Sequence, residues 1–115
     1  MKIDIQNSKV YIRPGATDLR KGSLGLSMII NNQMKKNVLD GSLYLFCNKN
    51  RKLLKIIYWD KSGYWIAQKR LEESTWPWPS TEEEVREITQ HQLEMLLEGI
   101  DFFRAHKELH YKIPF

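Results

Sequence analysis

The chain has 115 residues, 42% of them hydrophobic and 28% charged, with a formal charge of +4 at pH 7. That balance fits one compact soluble domain rather than a disordered segment, and the length suffices to bury a core without cross-links or a structural metal. No apolar run reaches the roughly 20 residues that span a bilayer, Met1 to Ile5 lacks the apolar stretch of a secretion signal, and a lone cysteine excludes an internal disulfide or a zinc knuckle, so a cytoplasmic location is expected.

In chain order, Val10 to Arg13 is β-branched and aromatic and stops at Pro14-Gly15, which predicts a short strand closed by a turn. Leu19 to Lys36 then carries apolar residues near helical spacing, although Gly22 and Gly25 weaken its first half. Three strand-like runs follow, Leu43 to Asn48, Leu53 to Trp59 and Tyr64 to Leu71, separated by four-residue polar loops at 49–52 and 60–63. They predict an antiparallel meander. If Asn48 pairs with Leu53 and Trp59 with Tyr64, the period of two puts Leu43, Leu45, Cys47, Leu54, Ile56 and Tyr58 on a core face. Cys47, inside this apolar run, reads as a small core residue. The opposite face carries Tyr44, Phe46, Lys55, Ile57, Trp59, Tyr64, Ile66 and Arg70. Two readings of it stay open: a stacking platform for nucleic acid, or a second core face covered by the C-terminal segment with its cations at the edge.

Trp76-Pro77-Trp78-Pro79 excludes a central strand and predicts a rigid extended connector over 72–81, its indoles packed on the body. Thr81-x-x-Glu84 and Thr89-x-x-Gln92 both fit a capping box, so a short turn or strand at 82–88 precedes a helix from Gln90 to Glu98, with Gly99 as its natural stop and a frayed tail beyond. The expected fold is therefore α+β: a single domain with a mainly antiparallel meander of about four strands packed against one helix in the N-terminal half and one near the C-terminus. Charge divides along it. Residues 1–71 hold 14 Lys/Arg against four Asp, whereas 72–115 hold four against ten acidic residues, so the first part suits a polyanion and the second does not. An acidic segment folded back over the basic body is the competing possibility.

Gly15-Ala16-Thr17-Asp18-Leu19-Arg20-Lys21-Gly22 is the sharpest local signal, a glycine-bounded turn entering a helix with Thr17 or Asp18 as its N-cap. Arg20 and Lys21 would then sit in the first helical turn, where the macrodipole disfavours cations. A phosphate at that helix end would compensate, and so would a structural Asp18–Arg20 ion pair. Tyr58-Trp59-Asp60-Lys61-Ser62-Gly63-Tyr64-Trp65 forms a hairpin whose cross-strand aromatics stabilise it, with Asp60 and Gly63 suited to the turn. His106 and His110 have the spacing of a metal pair but no third ligand, and no catalytic set of acids, bases or nucleophiles converges.

Taken together, Gly15-x-Thr17-Asp18-x-Arg20-Lys21-Gly22, Tyr58-Trp59-Asp60-x-Ser62-Gly63-x-Trp65, Lys69-Arg70-Leu71-Glu72, Trp78-Pro79 and Leu96 to Asp101 resemble the TnpB accessory family of insertion-sequence-66 elements, from about residue 10 to 101. Leu19 departs from the methionine of many relatives, and the 49–52 loop is unusually basic. The resemblance implies a protein encoded beside a larger transposase and needed for efficient transposition, with the transposase and the element's other accessory protein as partners. It implies no enzymatic activity and is distinct from the RNA-guided nucleases of the same name, whose length and carboxylates are absent here. No cofactor, metal, membrane or small-molecule substrate is expected. The residues themselves nominate Arg20, Lys21, Arg51, Lys52, Lys55, Lys61 and Arg70 as contacts to DNA, with Trp59 and Tyr64 as stacking surfaces. The alternative is an adaptor that docks on the transposase through the aromatic face or the Gln90 to Asp101 segment.

Overall fold

The computed structural model describes residues 7–80 and 85–103. The capping box expected at Thr81, the His106 and His110 pair and the expected tail beyond 103 lie outside the described residues. Five strands, β1 (Val10–Ile12), β2 (Leu43–Cys47), β3 (Leu53–Asp60), β4 (Gly63–Arg70) and β5 (Arg86–Ile88), form one sheet in the order β4-β3-β2-β1-β5. Among the described residues two α-helices accompany it, α1 (Ser23–Asn32) and α2 (Gln90–Leu97). The meander β2-β3-β4 is antiparallel, with Trp59 opposite Tyr64 and Cys47 opposite Leu54 as the hydrophobic alternation requires. β1 instead runs parallel to β2, joined to it through α1, and β5 adds the fifth strand antiparallel to β1.

The sheet is buried on both faces at its centre. Val10, Ile12, Leu43, Leu45, Cys47 and Leu54 pack under Leu93 and Leu96 of α2, together with Trp76, Trp78 and Phe102. Tyr11, Tyr44, Phe46 and Ile57 pack on the other side under Leu26, Ile29 and Ile30 of α1, with Tyr11 stacked on Tyr44 at 5.5 Å. β2 is therefore buried at every position, which explains why its sequence is an unbroken apolar and aromatic run. The second face is a core face at its centre, but α1 covers it; the C-terminal segment covers the first. Tyr44 is fully buried and forms no stacking platform.

β4 and β5 occupy opposite edges, so the chain between them must cross the sheet, about 19 Å at about 4.8 Å per strand. The tryptophan-proline strap makes that crossing. Trp76 and Trp78 are 1% and 6% exposed; their indole N–H groups donate to the carbonyls of Lys69 and Arg13, and the Trp76 amide donates to the Arg51 carbonyl at 2.7 Å. The Pro79 carbonyl accepts from the Gly15 amide at 2.8 Å, tying the strap to the N-terminal turn.

The first helix starts four residues later than its apolar pattern suggests. The Leu19 carbonyl, which would have to accept from residue 23 in a longer helix, accepts instead from Lys55 Nζ at 2.7 Å. Asp18 Oδ1 accepts from the Arg20 amide, turning the chain locally. Gly22, in extended conformation, is the N-cap, so neither Thr17 nor Asp18 caps the helix, and Arg20 and Lys21 precede it. At the other end Lys35, φ +58, leads the chain away. α2 begins as its sequence requires, with Thr89 and Gln92 exchanging both bonds of a capping box.

Candidate nucleic-acid interface

The turn from Gly15 to Lys21 is pinned on three sides. Gly15 adopts φ +80, a left-handed conformation that a side chain would strain, and the Thr17 amide donates to the Cys47 carbonyl at 2.8 Å. Arg13, which sequence reasoning left out, reaches Thr17 Oγ1 at 2.9 Å and Gln33 Oε1, so one guanidinium joins the turn to the end of α1. Its position at the strand end, directly before Pro14-Gly15, was the available signal. Thr17 is buried, as a fixed structural point rather than a ligand contact.

Beside this turn lies an open cleft of about 880 Å³. Ala16, Leu19 and Leu53 are its apolar lining residues, Arg20, Lys49 and Arg70 its cations, and Asn48 and Asn50 its amides. Asp18 lines it too. Arg20 and Asp18 form a two-bonded fork, Nε to Oδ1 at 3.0 Å and Nη2 to Oδ2 at 2.9 Å. That guanidinium holds the Asp18 carboxyl well below the usual carboxylate range. The structural ion pair is thus formed, and with Arg20 outside the helix the argument for a phosphate on the first turn of α1 falls away. Lys21 lines a second, smaller cleft with Arg13 and Gln33, its stem lying close over Gly25, where any Cβ would collide with it.

The other nominated residues divide between the two ends of the β3–β4 hairpin. Arg51 and Arg70 stand at the cleft end, with Lys52, whose Nζ donates to the Ser74 carbonyl at 2.9 Å and so helps hold the strap. Lys55 is likewise committed to the Leu19 carbonyl. Lys61 caps the far end, seven residues along β3 from Leu53 to Asp60, or roughly 25 Å from Arg51 at about 3.3 Å per residue. The hairpin loop is tighter than the expected four residues: Asp60 pairs with Gly63, leaving Lys61 and Ser62 as the loop. The left-handed residue in it is Lys61, φ +55, not Gly63. Trp59 and Tyr64 face each other edge to face at 5.0 Å, half-buried, and Asp60 accepts from the Trp65 indole. The nine nominated side chains therefore do not form one cluster: Arg20, Arg51, Lys52 and Arg70 lie at the cleft end, Trp59, Lys61 and Tyr64 at the far end of the hairpin, Lys21 in the second cleft, and Lys55 along β3.

Lys49, Arg51, Lys61 and Arg70 are exposed and, among the described residues, form no ion pair. Of the described acidic side chains of the C-terminal segment, Glu87 lies on β5 at the sheet edge opposite β4, Glu94 and Glu98 lie on α2 and at its C-terminal cap, and Glu72 and Glu73 follow β4 directly after Arg70 and Leu71. Cys47 is buried in the core and burial pushes its thiol up to about 11, far from the thiolate of a nucleophile. Among the described residues no group of three or more His, Cys, Asp or Glu could hold a metal ion, and no helix is long and apolar enough to cross a membrane.

Residues 8–107 match the family model described as IS66 Orf2 like protein. Two curated proteins of Sinorhizobium fredii, both named only as uncharacterized, are similar over most of their length. One, y4hO, is 39% identical over 97 residues, covering 84% of each chain. The other, y4jC, is 23% identical over 100 residues, covering 87% of this chain and 86% of its own. No solved structure matches. With the match running across the turn, the hairpin, the strap and α2, the chain belongs to the IS66 Orf2-like family, accessory proteins of insertion-sequence-66 elements.

Proposed function

We propose that this protein is a DNA-binding accessory factor of transposition that grips the phosphate backbone with the β3–β4 hairpin and the β2–β3 loop. The observation that carries the reading is where the chain accepts strain. Among the described residues the three non-glycine positions with left-handed φ are all cations, Lys35 (+58), Arg51 (+60) and Lys61 (+55). Glycine, asparagine or aspartate would occupy such turn tips at lower cost, since the conformation costs an ordinary side chain roughly 1–2 kcal/mol. Long cations kept there at that cost, on exposed tips without carboxylate partners, point to a polyanion outside the chain. The spacing of roughly 25 Å between Arg51 and Lys61 would follow a duplex for about seven base pairs at about 3.4 Å per phosphate along a strand.

The test is charge reversal at the tips. Arg51→Glu with Lys61→Glu should weaken retention of duplex DNA in gel-shift titrations at least tenfold, whereas Glu94→Lys, on α2, should not weaken it. Equal retention by the wild type and the double variant would refute the proposal.

An adaptor role has one observation of its own. β4 is an edge strand exposed along most of its length, with Trp65 41% and Ile66 37% exposed on opposite faces. An unpaired edge with apolar side chains can accept a strand from another protein. Capture of the purified transposase from nuclease-treated extract, abolished by Ile66→Lys, would support this second reading; loss of capture on nuclease treatment would return the case to DNA.

A further inference from the structure

Resting on that reading, we infer that the cleft between the Ala16–Arg20 turn and the Asn48–Leu53 loop receives a single unpaired nucleotide of the bound DNA. A site that only collected phosphates would be polar throughout. This one is lined by the apolar Ala16, Leu19 and Leu53 together with Arg70, Lys49 and the amides of Asn48 and Asn50. At about 880 Å³ it lies within the roughly 300–1,000 Å³ range of sites that enclose small organic groups. An extruded base needs an apolar contact, a flat surface to stack on, polar groups for its edge and cations for the flanking phosphates. Each is present in the lining.

The flat surface is Arg20. Its fork with Asp18 fixes the guanidinium plane and neutralises the carboxylate that would otherwise repel a nucleotide. It also explains why an exposed arginine beside a nucleic-acid site is paired at all: a guanidinium already held by a carboxylate is a poorer phosphate clamp but a steadier stacking plate. The oxygen of Asn48 accepts the amides of Lys52 and Leu53, which leaves its NH2 as a donor for a base edge. The oxygen of Asn50 likewise accepts the Lys52 amide. Arg70 arrives opposite Leu53 in the β3–β4 register, so the hairpin that grips the backbone also delivers the cation next to the cleft.

The measurement compares fluorescein-labelled duplex, the same duplex with one unpaired nucleotide, and the single strand, by anisotropy with the full-length protein. The wild type should bind the duplex with the unpaired nucleotide about tenfold more tightly than the perfect duplex, the scale of one stacked base. Arg20→Lys retains the charge and removes the planar fork, and Ala16→Trp fills the cleft from an exposed loop position; each should bring that ratio close to one. With 2-aminopurine at the unpaired position, its fluorescence should change on binding the wild type and not on binding Ala16→Trp. Duplex binding without preference for the unpaired nucleotide, or a preference that survives both variants, overturns the cleft and leaves the backbone grip standing. No DNA binding by the wild type overturns both.

Discussion

Removing the Trp76 side chain should cost more than any surface change, because the strap it anchors is the link between the two edges of the sheet. The indole is 1% exposed. An aromatic side chain of this kind buries about 150–250 Å², which at about 25 cal/mol per Å² corresponds to about 4–6 kcal/mol as an upper bound. Partial collapse of the site brings Trp76→Ala to about 3–5 kcal/mol, a large share of the about 5–15 kcal/mol that stabilises a domain. Trp76→Phe keeps most of the volume and loses the bond to the Lys69 carbonyl, which at 3.3 Å is long, so about 1–2 kcal/mol is expected. In urea titrations followed by circular dichroism, with a slope of about 1.5 kcal/mol per M, the alanine midpoint should fall by about 2–3 M and the phenylalanine midpoint by about 1 M. A shift below about 0.5 M for Trp76→Ala would refute the assignment of the strap to the core.

Lys61→Gly should raise stability by about 1 kcal/mol in the same titration, by relieving the left-handed backbone, while weakening DNA retention; a loss of stability would show that the turn is not strained. Thr89→Ala should cost about 1 kcal/mol through loss of the hydroxyl that accepts from the Gln92 amide at the start of α2, read as a lower midpoint. In the folded protein Cys47 should resist alkylation by iodoacetamide at pH 8 and react only when unfolded, since its thiol stays protonated until about pH 11; rapid native-state labelling would contradict its burial. Asp18 should titrate well below an ordinary aspartate by carbon-detected NMR. Its pairing with Arg20 favours the folded state above the ordinary carboxylate range and is lost as pH falls through the depressed value; Arg20→Ala should return the midpoint toward normal.

Much of the fold follows from local pattern. The alternation along Leu43 to Leu71 specifies the register of three strands because a one-residue slip would turn Tyr44 and Phe46 out of one core and Leu45 and Cys47 out of the other. The α2 start is written in Thr89 and Gln92, whose reciprocal bonds are entirely local. What is not local was not legible. The delayed start of α1 depends on Lys55, 36 residues away, taking the Leu19 carbonyl. A short strand within 82–88 was legible, but the parallel pairing of β1 with β2 and the place of β5 beside β1 leave no trace in the periodicity of so short a strand as Val10–Ile12. The same applies to the site. Arg20 and Arg70 belong to one cleft only because the sheet brings the turn, the 48–53 loop and the end of β4 together, whereas Lys61, close to Arg51 in composition and character, is carried to the far end by eight-residue strands. Lys52 and Lys55 look like surface cations in sequence, and both use their ammonium groups on carbonyls of the chain itself.

The central claim, that unpaired cations on the hairpin and its neighbouring loop hold DNA by its backbone, is tested most directly by duplex affinity as a function of salt. Contacts from Lys49, Arg51, Lys61 and Arg70 predict a linear decline of log affinity with log salt, with a slope of about −3.6 that becomes shallower by about 1 in Arg70→Ala. A wild-type slope near zero, or no binding at about 50 mM salt, where such contacts are strongest, would contradict it.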